Sequence, residues 1–332
     1  MSSDPGLDAL IGRSAAAAWS ALGERGDGLP VAAVDRALID QMVGRVGHHP
    51  DHVLVAVPPL RQPLTVADLA VCAVLAGCDV EVFPVAVAAV TALTDADLNA
   101  YGFTTTTGSA APLVLVNGPI ADRAGFNSGG NCLGPGCRAN ATVGRTLSFV
   151  LRIVGGARAG FADMATLGQP AKYTCCLAEN EAASPWLPFH VERGFAPGQS
   201  TATITAISGI VETFEATTGR VDDMIDAVAV VLAGSAPTMD ITDEPLIGGG
   251  QPMVVMTPEW AVQFDRQGYD KGSLRSALFE RAVRERPGGG RLRVARRADD
   301  ILIVVAGGVG VKQAVIPNWN GGSRAVTVPV EG

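Results

Sequence analysis

Aromatic side chains are scarce in this chain: Phe, Tyr and Trp make up 5% of its 332 residues. That is too few for a surface that stacks bases. Basic residues are outnumbered, 25 Lys and Arg against 33 Asp and Glu, for a formal net charge of -8. Cations scattered through an acidic chain exclude the footprint of a nucleic-acid binder and argue against docking on anionic lipid. Long apolar runs are missing too. The most apolar stretch, "FPVAVAAVTAL" from Phe83, is too short to span a bilayer and carries a proline. At the N-terminus Asp4, Asp8 and Arg13 interrupt any secretory core, so a cytoplasmic protein with a short helix over 7–22 is expected. The six cysteines contain no CxxC pair, which argues against a thioredoxin-like couple and a disulfide framework.

What the chain has is apolar residues, 48% of the total, in short runs that switch between two periods. "HVLVAVPP" (52–59), "DVEVFPV" (79–85), "APLVLVNGPI" (111–120), "STATITAISGIV" (200–211), "QPMVVMT" (251–257), "DILIVVAGGVG" (300–310) and "SRAVTVPV" (323–330) read as strands. Helical spacing fills the gaps. Thr65 with Asp68 resembles a capping box, Gly77 a helix stop, and Thr257-Pro258 an N-cap with a proline at the first helical position. "PGGGR" (287–291) reads as a turn. Strands alternating with helices predict an α/β fold with mostly parallel sheet, flanked by helices, in one piece or in two α/β halves at 1–155 and 156–332.

Ligands of open α/β sheets bind where strands run into helices. The loop "NSGGNCLGPGCRANATVGR" has that position, and its residues 129–137 hold four glycines, a proline and two cysteines. Glycines let backbone approach a ligand, and the helix start behind them offers free N–H groups. Asn127, Ser128, Gly129, Gly130, Asn131 and Asn140 are therefore candidates to bind an anion, with Asn140 expected to cap the helix. Arg138 and Arg145 would supply guanidinium groups. Cys132 and Cys137 are candidate nucleophiles, since a thiol near a helix N-terminus and arginines favours its thiolate.

A second dense region runs from Lys172 to Arg193. Cys175 and Cys176 are adjacent thiols. Glu179, Glu181 and His190, set among Trp186, Pro188 and Phe189, are candidate general acids and bases. Lys172 and Tyr173 are candidate contacts for an anionic substrate. A third loop, "AGGVGVKQ", adds Lys312 after a glycine-rich strand exit. No cofactor is demanded by these residues. Four cysteines from two loops leave zinc or an iron–sulfur cluster as a minor alternative, at a spacing that matches no standard finger.

The stretches "VNGPIADRAGFNSGGNCLGPGCRANATVGR", "LGQPAKYTCCLAENEAASPWLPFHVERGF" and "VAGGVGVKQAVIPNWNGGSRAVT" resemble a bacterial family related to, or fused with, UGSC-motif proteins. Those carry a selenocysteine or cysteine followed by Gly-Ser-Cys. The likeness spans most of Pro112 to Phe195 and about the last thirty residues. It implies thiol or redox chemistry without naming a reaction. The Cys-Gly-Ser-Cys motif itself is absent here.

The expected protein is thus an enzyme that uses a cysteine, Cys137 or Cys176 before Cys132 or Cys175, on a small anionic metabolite. Two alternatives stand beside it. One is a cysteine-independent lyase or hydrolase built on Glu179, Glu181 and His190. The other is a non-catalytic subunit or metabolite-binding module of a larger complex. A homo-oligomer or a neighbour-encoded subunit is the expected protein partner, with no nucleic acid and no membrane.

Overall fold

Alternate residues of the strand at 111–117 face two different cores, and this alternation sets the architecture. The structure is a computed structural model that describes residues 6–235, 250–285 and 291–331. The turn expected at 287–291 lies almost wholly outside them. In chain order the strands are β1 (Val53–Val57), β2 (Gln62–Thr65), β3 (Ala111–Asn117), β4 (Cys176–Ala178), β5 (Thr201–Ile207), β6 (Val211–Phe214), β7 (Met253–Met256), β8 (Val283–Glu285), β9 (Arg291–Arg293), β10 (Leu302–Val305), β11 (Lys312–Ile316) and β12 (Val326–Pro329). The helices are α1 (Ala15–Leu22), α2 (Arg36–Val46), α3 (Val66–Ala76), α4 (Phe83–Thr91), α5 (Ala100–Thr105), α6 (Ile120–Arg123), α7 (Arg138–Phe149), α8 (Phe189–Glu192), α9 (Val221–Ser235), α10 (Pro258–Arg266) and α11 (Lys271–Arg281).

Two four-stranded sheets stack face to face, in the orders β12-β5-β3-β4 and β10-β7-β11-β6. Val114 and Val116 of β3 pack with α2, α3, α4 and α7 on one side. Leu113 and Leu115 turn the other way and meet Met253, Val255, Leu302 and Val304 of the second sheet. Val254, Met256, Ile303 and Val305 on the far face of that sheet pack against α9, α10 and α11. The layers therefore run helix, sheet, sheet, helix. Both faces of each sheet are covered, which is why the strands read as continuous apolar runs. No helix among the described residues is long and apolar enough to cross a membrane.

The α/β class holds, but the expected parallel sheet does not. Only β3–β4 and β7–β10 are parallel; the other four pairings within the two sheets are antiparallel. Nor does pairing respect position 155: β3 is hydrogen-bonded on both sides to strands that follow it, β4 and β5. "HVLVAVPP" does form a strand, but it turns back on β2 as an antiparallel hairpin. "DVEVFPV" is not a strand. Residues 80–82 form a turn, and Phe83 opens α4 with Pro84 in its first turn. Seven of the nine α4 residues are buried, so no polar interval betrays the period.

Helix α7 organises the first layer. Arg138 and Arg145 of α7, and Arg152 in the π-helical turn Val150–Val154 that continues it, recur every seven residues. Arg138 donates to the Gly77 carbonyl, Arg145 to Asp27, and Arg152 to the Gly26 carbonyl. Together they brace the N-terminal segment and the end of α3. On another side α7 approaches the entry to β4 so closely that a Cβ on Gly144 would lie 2.5 Å from Thr174 Oγ1 and 2.7 Å from the Cys175 nitrogen.

Two glycine substitutions separate packing from propensity. Gly144→Ala should cost about 1–3 kcal/mol, the range for overpacking a tight contact. Gly44→Ala, in α2 with open space around the new methyl, should stabilise by about 0.5–1 kcal/mol. Urea midpoints of the two variants against wild type check both signs.

Candidate functional site

Because β3 and β4 are parallel, their carboxyl ends leave the first sheet side by side. Asn117 and Gly118 follow one, Glu179 to Glu181 the other. The Asn117 side-chain amide donates to both carboxylates, 2.6 Å to Glu179 Oε2 and 2.9 Å to Glu181 Oε1. The Gly118 amide also donates to Glu181 Oε1, at 2.7 Å. Gly118 has φ +80°, and a side chain there would collide with the Gln199 carbonyl, so the tight exit from β3 requires glycine.

Helix α8 closes this cluster from the inter-sheet side. Its first residue, Phe189, donates its amide to Glu179 Oε2 at 2.6 Å. His190 is fully buried, with Nδ1 3.5 Å from Glu181 Oε1. The fourth member arrives from the other layer. Asp270 and Ser273 form a capping box that starts α11 at Lys271. The Lys271 ammonium lies 3.3 Å from Glu179 Oε1 and 3.0 Å from Glu192 Oε2, and donates to the Leu187 carbonyl at 2.8 Å.

Burial pushes the Glu179 carboxyl up from its ordinary pKa, against the opposing pull of Lys271 and of the Phe189 and Asn117 hydrogen bonds. Glu181 differs: a quarter of its side chain reaches solvent, while Asn117, Glu179 and His190 are sealed. Among the described residues, four buried polar atoms near this end of the inter-sheet space lack hydrogen-bond partners: Asn117 Oδ1, both His190 nitrogens and Thr201 Oγ1. Thr201 is the register partner of Asn117 across β3–β5. Unsatisfied buried polar groups are rare enough in folded proteins to mark a place where water, a ligand or a proton acts.

The first and third loops meet. The Gly307 amide donates to the Ser128 carbonyl at 2.8 Å, and a Cβ on Gly308 would lie 2.9 Å from the Gly130 Cα. The Asn180 amide donates to the Val305 carbonyl at 2.7 Å, which ties the Glu179–Glu181 segment to the same strand exit. The loop is self-contained, however. Asn140 does not cap α7; Cys137 holds the N-cap position. The Asn140 amide group instead clamps the Asn127 backbone in both directions and reaches the Cys132 carbonyl. Asn127 folds onto Gly129 and Gly130, and Asn131 onto the Pro135 carbonyl.

The cations expected around that loop are held elsewhere. Arg145 pairs with the buried carboxylate of Asp27 at 2.7 Å. Arg138 bonds the Gly77 carbonyl, with Asp79 at 3.7 Å. Lys172 pairs with Asp163 at 2.6 Å, and Lys312 with Glu212 at 2.9 Å above the Phe214 ring. Tyr173 is exposed.

The cysteines scatter as well. Cys132 and Cys175 face the inter-sheet core and Cys176 the α7 side. Burial raises all three thiols, Cys175 to about 12, which disfavours the reactive thiolate. Cys137 is only partly covered and donates its thiol to the Gly125 carbonyl at 3.2 Å. Among the described residues no three His, Cys, Asp or Glu side chains are placed to hold a metal ion, so the four-cysteine zinc or iron–sulfur arrangement is not formed.

A cleft of about 740 Å³ lies at the same end of the second sheet, walled by Ala183, Glu215, Pro258, Trp260, Gln263 and Val311 among others. Ala183 is two residues beyond Glu181, yet no side chain of the polar cluster lines the cleft. The convergence of titratable groups, not the volume of the cleft, marks the site. Comparison with known protein families, curated proteins and solved structures found no match.

Asn117 and Lys271 are the members that sequence reasoning passes over. Asn117 had a faint signal, a polar residue ending the buried run "LVLV". Lys271 had none, because its partners Glu179 and Glu192 are 92 and 79 residues away.

Three measurements probe this geometry. Lys271→Met leaves the buried Glu179 carboxylate without its cation, while Glu192 keeps Arg275, and should cost about 3–5 kcal/mol in urea unfolding. Glu179 has a folded pKa above its unfolded one, so it contributes stability that is complete below the ordinary 4.5 and is lost as pH rises through the folded value. The stability of Glu179→Gln relative to wild type should therefore improve as pH rises from 4.5 towards neutrality; a difference moving the other way contradicts the assignment. Iodoacetamide on the native protein should label Cys137 first, with Cys72, Cys78, Cys175 and Cys176 reacting only on unfolding, as read by mass spectrometry.

Proposed function

We propose that this protein is an enzyme of small-molecule metabolism that works by proton transfer at Glu181, a lyase or hydrolase that needs no cysteine. The observation that carries this reading is the single Asn117 amide group shared by Glu179 and Glu181 at the carboxyl ends of two parallel strands. Two carboxylates held this close cannot both be comfortable as anions, and their environments pull them apart. Glu179 is buried and braced by Lys271. Glu181 is solvent-facing, with Oε1 fixed by two N–H donors, so Oε2 is left to reach a substrate.

In this scheme the Glu181 carboxylate takes a proton from a substrate carbon or from an attacking water. The leaving group departs with a proton returned by the same carboxyl group, which the buried His190 faces at 3.5 Å. Lys271 and Glu179 hold Asn117 and α8 in place. Asn117 and Gly118 are positioning groups, since they touch the base and not the substrate.

One observation keeps a second reading in view. Cys137 is the least buried of the four loop cysteines and occupies the N-cap of α7. A thiol mechanism would run through it.

The two readings separate in one experiment. The protein is incubated with small hydroxy-, amino- and keto-acids in D2O, and proton NMR follows C–H exchange and product formation. Glu181→Gln should lower turnover by about 10²–10⁴-fold, the usual worth of a general base, and Cys137→Ser should leave it intact. Full turnover in Glu181→Gln, or its loss in Cys137→Ser, sinks the acid–base reading.

A further inference from the structure

Beside Glu192, which Lys271 and Arg275 share, stands a group of arginines that the acid–base reading does not use. Arg193 follows α8. Its guanidinium lies over the Phe189 ring, 5.2 Å from the centroid, and donates one N–H to the Ala325 carbonyl at 2.6 Å. It has no carboxylate partner within ion-pair distance among the described residues. The stacked ring and the carbonyl fix the plane of the guanidinium and leave its other donors unspent.

Two more arginines flank it. Arg275 reaches Glu192, the residue before Arg193, at 3.0 Å. Arg324, the residue before Ala325, reaches Asp300 at 2.8 Å. Burial, followed by the nearby Arg324 and Arg275, pulls the Arg193 pKa below its ordinary value, against the opposing pull of Glu192. The two ion-pair groups beside Arg193 contain Lys271, Arg275, Arg297 and Arg324 against Glu179, Glu192 and Asp300. With Arg193 itself, and with Glu181 counted beside Glu179, that is five cations to four carboxylates, in a chain whose net charge is -8. A concentrated positive excess on an acidic protein is costly unless something anionic relieves it, and a half-buried guanidinium with free donors is the group best suited to bind an oxyanion in register.

We propose that Arg193, with Arg275 and Arg324, forms a binding site for a small dianion of the size of phosphate or a short dicarboxylate. The proposal stands whether or not Glu181 is a catalytic base. Arg193 is the specific contact; Arg275 and Arg324 add field while remaining paired to Glu192 and Asp300. Arginine presents a planar fork that lysine lacks, so charge alone does not reproduce the site.

Isothermal titration of the full chain at low salt tests it, with inorganic phosphate in one arm and succinate in the other. Saturable one-site binding is expected in at least one arm. Binding of phosphate alone assigns the site to phosphoryl groups, and binding of both assigns it to dianions in general. Arg193→Gln should weaken the bound anion by at least about tenfold, and Arg193→Lys, which keeps the charge and most of the stem, should lose a smaller part. Thermal melts of both variants guard against a folding artefact; if Arg193→Gln does not fold, the Arg193→Lys isotherm decides. Absence of saturable binding in both arms overturns the proposal, as does an affinity unchanged in the folded substitution.

Discussion

A carboxylate taken out of water must find donors, and Glu179 is taken out of water between two sheets. Its three partners come from three places: Asn117 at the end of β3, the Phe189 amide at the start of α8, and Lys271 at the start of α11. Each is fixed by its own local device: a strand end, a proline-led turn, a capping box. Satisfying one buried charge therefore locks the first sheet, the wedge between the sheets and the outer helices of the second sheet into a single arrangement. The cost of such a buried pair is rarely repaid in stability compared with apolar packing. Here the return is positional: the same amide that serves Glu179 aims Glu181, and the same lysine that neutralises Glu179 holds Glu192 beside the arginines.

Most local signals in the sequence were faithful, the expected Asn140 cap of α7 excepted. The Thr65–Asp68 capping box, the Gly77 stop, the run of β3 and the Thr257-Pro258 helix start all stand where their residues put them. Periodicity failed where burial was complete. "FPVAVAAV" offers no polar face to separate a helix from a strand, and Pro84 supplied the only contrary hint. The parallel sheet was inferred from strand–helix–strand order, but β5, β11 and β12 run antiparallel to their neighbours within the sheets, and the register pairs residues as distant as Thr201 and Pro329.

The candidate site was legible as residue types and illegible as geometry. Glu179, Glu181 and His190 lie within twelve residues and do come together. The loop 127–137 drew attention for its glycines and asparagines, yet those asparagines are spent on holding the loop's own backbone, and the glycines on its contact with Gly307 and Gly308. Arg138 and Arg145 recur on one side of α7, but that side faces the end of α3 and the N-terminal segment. Arg193 carries no motif at all. Its significance depends on Phe189, four residues earlier, and on Ala325, far along the chain.

Consider finally where β12 sits. It covers the outer edge of β5, and the Thr203 and Thr327 hydroxyls bond across that seam at 2.8 Å. During synthesis β5 is complete long before residue 329 exists, so for well over a hundred residues the first sheet has a naked, buried-type edge with no strand to cover it. An uncovered edge of this kind invites pairing with another chain. Closure by a strand so distant in sequence is also entropically slow. The fold thus trades a sealed sheet in the finished molecule for a window of vulnerability in the nascent one, and chaperone demand should be greatest in that interval.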